Sequence, residues 1–236
     1  MITPKSIFCC ILFSSIVLID SSFIANNIET VSTNQEPALF RSSANSTYII
    51  KKDIDLHGRS FEMPEGVTIV AKKGVIKNGT LIGNRNTIVH GKDPVFDNVT
   101  ILGDWNVPKI STSMFKNLNY DNSLRDVLAL TNPAVSNIVE INDGYYRMKI
   151  EKSGGFGIVV EDNTTLIING SLILTPNEYS NYDIILVHGK NINISGNGVI
   201  AGDKQKHIGT LGEWGMGIDI LQSENVSISN LTIMDC

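Results

Sequence analysis

The chain has 236 residues, of which 42% are hydrophobic and 18% charged, with a net charge of −5. The apolar share excludes wholesale disorder. Three Cys exclude a disulfide-dense scaffold, and the acidic balance argues against a nucleic-acid binder held by a basic surface.

Ile and Val together supply roughly fifty residues and Asn roughly two dozen, a mixture that favours strands joined at tight corners. At the N-terminus, Lys5 is followed by an apolar run over 7–19, closed by Asp20. A run of about 13 residues is too short for a spanning helix, which needs about 20, and fits a signal-peptide core. Residues 1–25 are therefore expected to be a signal peptide, although Phe23 stands where a small residue is preferred before cleavage after Ala25; an uncleaved membrane anchor and a lipid anchor at Cys10 are the alternatives. Removal would leave the charge unchanged, because Lys5 and Asp20 cancel, and would leave Cys236 as the single thiol. The mature chain is then secreted, periplasmic or on the cell surface, with no membrane span. Residues 26–47 are Ser/Thr/Asn-rich and read as a linker.

From Tyr48 the apolar runs are short, at 48–50, 67–71, 80–82, 87–89 and 99–102, separated by Gly66, Gly74, Gly83, Asn86, Gly91, Asn98 and Gly103. Such runs predict strands in a sandwich, barrel or solenoid. Leu124, Val127 and Leu128 recur at helical spacing behind Ser123, an N-cap residue type, with Asp126 in the first turn and Pro133 beyond the end. A short helix is expected there, dividing a small β module (48–118) from the main unit (119–236).

An internal repeat decides among the all-β folds. Leu166, Ile168, Gly170 and Ile173 share a pattern with Ile192, Ile194, Gly196 and Val199, and again with Val226, Ile228, Asn230 and Ile233. The intervals are about 26 and then 34 residues. Period-2 apolar positions point into a core, and Gly or Asn marks a corner. Rungs of this size that stack on one another predict a β-solenoid. The extra length of the second interval falls in the Gly-rich stretch 202–215, expected to be a loop on a binding face.

The motif Ile54-Asp55-Leu56-x-Gly58, then Pro64-x-Gly66, then Gly74-x-Ile76-x-Asn78-Gly79-Thr80 resembles the β module that precedes many secreted bacterial parallel β-helix proteins. Asp121-Asn122-Ser123 and Asp143-Gly144-Tyr145-Tyr146 are similar to the start of the pectin-lyase-like helix, where a short helix caps the first rung. Gly196-x-Gly198-x-Ile200-x-Gly202-Asp203 resembles the Gly-rich rung of its polygalacturonase-like and pectate-lyase-like members. The resemblance implies an all-β, right-handed parallel β-helix acting on, or binding, uronate-containing polysaccharide. It implies either hydrolysis by paired carboxylates or lyase chemistry, and Ca²⁺ would be expected only for a lyase. The Asp-rich strand ends of the hydrolases and the clustered Asp set of the lyases are absent, so residue 236 is expected to fall short of the family's catalytic region. A non-catalytic glycan binder, a cell-surface structural protein and an inactive fragment are the alternatives.

The candidate site is then the insertion. Asp203 and Glu213 read as an acid/base pair, or as a corner Asp and a solvated Glu. Lys204, Lys206 and His207 would hold uronate carboxylates, or form a solvated loop. Trp214 would stack on a sugar ring, or pack under the loop. Asp219, between Ile218 and Ile220, would line a groove, or face solvent from its strand. Metal ligands are not identifiable, and neither is a cofactor motif. Eight Asn-x-Ser/Thr triplets, at Asn45, Asn78, Asn98, Asn163, Asn169, Asn193, Asn225 and Asn230, read as glycosylation sites or as a by-product of Asn corners beside Ser/Thr strands.

Overall fold

A computed structural model describes residues 38–209 and 214–236. The signal peptide expected at 1–25 and the linker stretch 26–37 lie outside the described residues. The described residues are mostly β, with parallel sheets and one short α-helix. Among the described residues no helix is long and apolar enough to cross a membrane.

Within the expected lead-in, Ala38–Arg41 forms a 3-10 turn whose Phe40 ring stacks on Phe61 at 4.3 Å. The strands β1 (Thr47–Ile50), β2 (Ile54–Asp55), β3 (Ser60–Glu62), β4 (Thr68–Ala71), β5 (Ile76–Val89) and β6 (Phe96–Trp105) all pair in parallel. The sequence divides 76–89 at Gly83 and Asn86, yet β5 runs through both. It turns a corner at Arg85, whose φ is +58°. The buried Asn86 amide holds that corner by donating to the Pro64 and Val67 carbonyls at 2.8 and 3.2 Å. A polar side chain that satisfies backbone groups can sit inside a strand corner at little cost.

Strand β7 (Lys109–Ser111) pairs with β8 (Asn137–Ile141) and joins the two halves. Beyond it come β9 (Tyr145–Met148), β10 (Gly155–Val160), β11 (Thr164–Ile168), β12 (Ser171–Leu174), β13 (Asn181–Val187), β14 (Lys190–Ser195), β15 (Val199–Ala201), β16 (Trp214–Ile220), β17 (Glu224–Ile228) and β18 (Thr232–Met234). From β8 to β15, each strand pairs in parallel with the strand three places on. The result is three sheets, β7–β8–β11–β14–β17, β9–β12–β15–β18 and β10–β13–β16.

The register corrects the repeat. Leu166 lies beside Ile194, not Ile192, so the first interval is two residues longer than the pattern suggests. A slip of two keeps every side chain on its own face, so apolar spacing alone cannot detect it. The glycines correct with it: a Cβ at Gly198 would collide with the Gly170 carbonyl oxygen. Asn163, Asn191 and Asn225, all at φ near +57°, stack as an amide ladder. Asn191 donates to Asn163 at 3.0 Å and Asn225 to Asn191 at 3.1 Å. The second interval holds as read for Val226 and Ile228, which lie beside Ile192 and Ile194. Past the corner it shortens by one, with Ile233 beside Ile200.

The core is a set of inward columns such as Val139, Leu166 and Ile194, all fully buried. Each buried Ile or Leu contributes about 2 kcal/mol over exposure. The helix α1 (Leu124–Leu128) buries Leu124, Val127 and Leu128. Ser123 stands at its N-cap position but makes no capping bond, and its hydroxyl donates to the Leu118 carbonyl at 2.9 Å. Asp126 is turned away from the helix to accept from the Ile101 N–H (3.0 Å) and the Tyr120 hydroxyl (2.7 Å). Arg125 donates to the Phe156 and Gly157 carbonyls, both at 2.8 Å, and so blunts the free edge of β10.

Candidate functional site

The outer face of the β9–β12–β15–β18 sheet carries a groove. Along β9 exposure alternates, so Tyr145 and Arg147 face outward while Tyr146 and Met148 enter the core. Tyr145 is 79% exposed. Arg147 lies in register with Ile173, and Ile173 with Ala201. A concavity of about 490 Å³ is lined by Arg147, Ile173, Pro176, Gln205, Lys206 and Asp235. A second, of about 360 Å³, is lined by Asn119, Tyr145, Arg147 and Ile173. The shared residues make the two one groove, with an exposed aromatic at one end, Arg147 at its middle, and Lys206 with Asp203 and Asp235 at its far side. Such a groove suits a flat ring with an appended anion.

The expected site residues divide. Lys206 lines this groove, and Lys204 is exposed on the same loop. Asp203 also borders the groove, but its carboxylate does not stand open as an acid/base group would. Its side chain is fully buried, accepting from the Asn177 N–H (2.8 Å), the Asn177 amide (3.0 Å) and the Tyr182 hydroxyl, with His207 Nδ1 at 3.0 Å. His207 is only 5% exposed and is turned inward to Asp203, away from any glycan carboxylate. The cluster anchors the loop after β15 against the turn before β13. Glu213 lies outside the described residues. Trp214 opens β16, paired with Asn181.

Asp219 lies half-buried on β16, in register with Leu186. Asp183, half-buried on β13, lies in register with Met216, three residues along the strand from Leu186. Its carboxyl is pushed above the ordinary carboxylate range by burial first and by the Asp219 charge second. The pair faces a different sheet from the groove, across the corner made by the loop after β15. Among the described residues no group of three or more His, Cys, Asp or Glu is placed to hold a metal ion.

Sequence reasoning missed Tyr145, Arg147 and Asp183. The signal was the alternation Tyr145-Tyr146-Arg147-Met148, which exposes every second residue of a strand. Six of the eight glycosylation triplets begin at an Asn with positive φ (Asn45, Asn78, Asn98, Asn163, Asn225 and Asn230), which is corner geometry. Asn78, Asn98, Asn163 and Asn225 already spend their amide N–H on internal bonds.

No protein family, curated protein or solved structure matches the chain.

Proposed function

We propose that the chain is an exported right-handed parallel β-helix of the pectin-lyase-like kind that binds an acidic, uronate-containing polysaccharide. The three-strand periodicity of the parallel sheets supports the fold reading. One observation carries the binding reading: Arg147 and Lys206 line a single groove that ends on the exposed Tyr145 ring. A guanidinium pairs with a carboxylate through two parallel bonds. An aromatic ring offers a sugar face area with little entropy loss. The backbone of successive strands, spaced by about 4.8 Å, repeats along the groove as a polymer repeats.

The test is calorimetric titration with polygalacturonate and with a neutral glucan. Polygalacturonate is expected to bind, and Arg147→Ala and Lys206→Ala are each expected to weaken it about tenfold, the scale of one charge-assisted bond. Equal affinity for the neutral polymer, or unchanged affinity in both variants, sinks the reading.

A second reading, hydrolysis or elimination of the polymer, rests on Asp183 and Asp219, which share the outer face of the β10–β13–β16 sheet three residues apart in register. Two carboxyl groups in unlike surroundings, one of them raised by burial, are the acid/base inventory of a glycosidase. It predicts release of reducing ends or of unsaturated product, lost in Asp183→Asn while binding persists. Binding without any product leaves the chain a glycan binder.

A further inference from the structure

Charge is divided unevenly along the chain. Residues 48–118 carry ten Lys or Arg against seven Asp or Glu, a net of +3, whereas 119–236 carry seven against fourteen, a net of −7. A chain that is acidic overall thus has a basic first module, and such asymmetry points to an anionic partner for that part. The excess is concentrated in one place. The turn from β1 to β2 holds Lys51 and Lys52, that from β4 to β5 holds Lys72 and Lys73, and that from β5 to β6 holds Lys92, all exposed. The backbone stacks these turns on one another. The Lys72 N–H donates to the Ile50 carbonyl at 2.9 Å, and the Ile76 N–H to the Val95 carbonyl at 2.8 Å. A Cβ at Gly74 would collide with the Lys52 backbone, so only glycine lets the first two turns approach this closely. Exposed Lys109 belongs to the same corner, because its charge bears on the His90 imidazole at the start of the third turn. Six lysines therefore line one convex ridge, on levels spaced by about 4.8 Å.

The nearby acids do not neutralise them. Asp53 pairs with Lys77 at 3.1 Å and Asp97 with Lys116 at 3.3 Å. Among the described residues none of the six lysines has an ion-pair partner. Lys73 also holds φ +74°, a left-handed corner position that Asn fills at Asn78, Asn98 and Asn163. The corner geometry does not favour a lysine there.

We infer that this ridge docks the chain on an anionic lipid surface. The residue type argues for headgroup phosphates. Lysine binds phosphate as a point charge without fixed geometry, whereas carboxylates are gripped by arginine forks, and these three turns hold no arginine. The shape argues for a surface. A convex row of charges meets a plane with all its members at once, whereas a polymer strand needs a groove or stacking rings, and no Phe, Tyr or Trp stands on these turns. The attraction sums over the lysines, each strengthening binding about fivefold near such a surface, and it falls as salt screens it.

The experiment is co-sedimentation of the whole chain with phosphatidylcholine vesicles, with and without phosphatidylglycerol, over a range of salt. Binding is expected on the anionic vesicles alone and should weaken as salt rises. Lys52→Gln, Lys72→Gln and Lys73→Gln together should weaken it about a hundredfold. Lys149→Gln, Lys152→Gln and Lys190→Gln together remove the same charge from exposed positions of the main unit and should leave it unchanged. No binding to anionic vesicles, equal binding to neutral ones, or an equal loss in both triple variants overturns the inference. Polygalacturonate affinity should be the same in the ridge variant as in the unsubstituted chain. A fall there would assign the ridge to a soluble polymer and overturn the lipid assignment, while leaving the groove to its own test. Hydrogen exchange on the unsubstituted chain gives a check independent of any variant. Anionic vesicles should slow the amides of 51–53, 72–75 and 90–93, and slowing confined to the main unit overturns the inference as well.

Discussion

Asp203 shows how one residue changes meaning when its neighbours are known. In the sequence it is an acid in a Gly-rich stretch, near Lys204, Lys206 and Glu213, which is how a catalytic carboxylate presents itself. In the fold its carboxylate is buried under donors from Asn177 and Tyr182, with His207 alongside. His207 is four residues on, but Asn177 and Tyr182 come from the preceding layer, so nothing local could have announced those two. Removing the carboxylate would strand buried donors, the costly half of a broken hydrogen bond. Asp203→Ala is therefore expected to destabilise the chain by about 3 kcal/mol in urea unfolding, with glycan affinity altered only through the loosened loop. A loss below about 1 kcal/mol would show that the carboxylate is not an anchor.

At the scale of elements, the strands and the short helix were legible because both follow from periodicity. Leu124, Val127 and Leu128 are buried as their spacing requires. The capping was not legible, since Ser123 and Asp126 have the right types for an N-terminus but found tertiary partners instead. Asp126 carries a measurable consequence. Burial raises its carboxyl above the ordinary 3.8, against the opposing bonds from Ile101 and Tyr120. The folded chain thus holds a proton there more tightly than the unfolded chain does. The sign follows: its contribution is most favourable below 3.8 and is lost as pH rises through the raised value. Asp126→Asn keeps the shape and removes the charge. The variant is expected to melt at or above the unsubstituted chain at pH 7, with its advantage vanishing as pH falls below about 4. A deficit that appears above about pH 4 and grows as pH rises would mean that the charge-assisted bonds outweigh burial.

Across the whole molecule, the sequence carried the stack but not its register. The period-2 rows fit equally well at intervals of 26 or 28 residues, and only the Asn163–Asn191–Asn225 ladder separates them. The groove was hidden for a related reason. Tyr145, Arg147 and Lys206 come from different layers, and register alone brings them to one face. A stack in which each layer touches only its neighbours also has a particular response to damage: energies are local and add along the axis. Asn191 tests this. Its side chain takes part in two ladder bonds, and its backbone sits at φ +57°. Asn191→Gly loses the bonds but keeps the left-handed corner open, at about 1 kcal/mol for each bond. Asn191→Ala loses both bonds and also strains the backbone by about 1–2 kcal/mol. Alanine should therefore cost more than glycine, the reverse of their order inside an ordinary strand. In either variant hydrogen exchange should quicken in β11, β14 and β17 while β1 to β6 keep their rates. Acceleration spread evenly over both halves would mean that the molecule unfolds as one cooperative block. The corner ladders would then serve the whole molecule and not the layers they join.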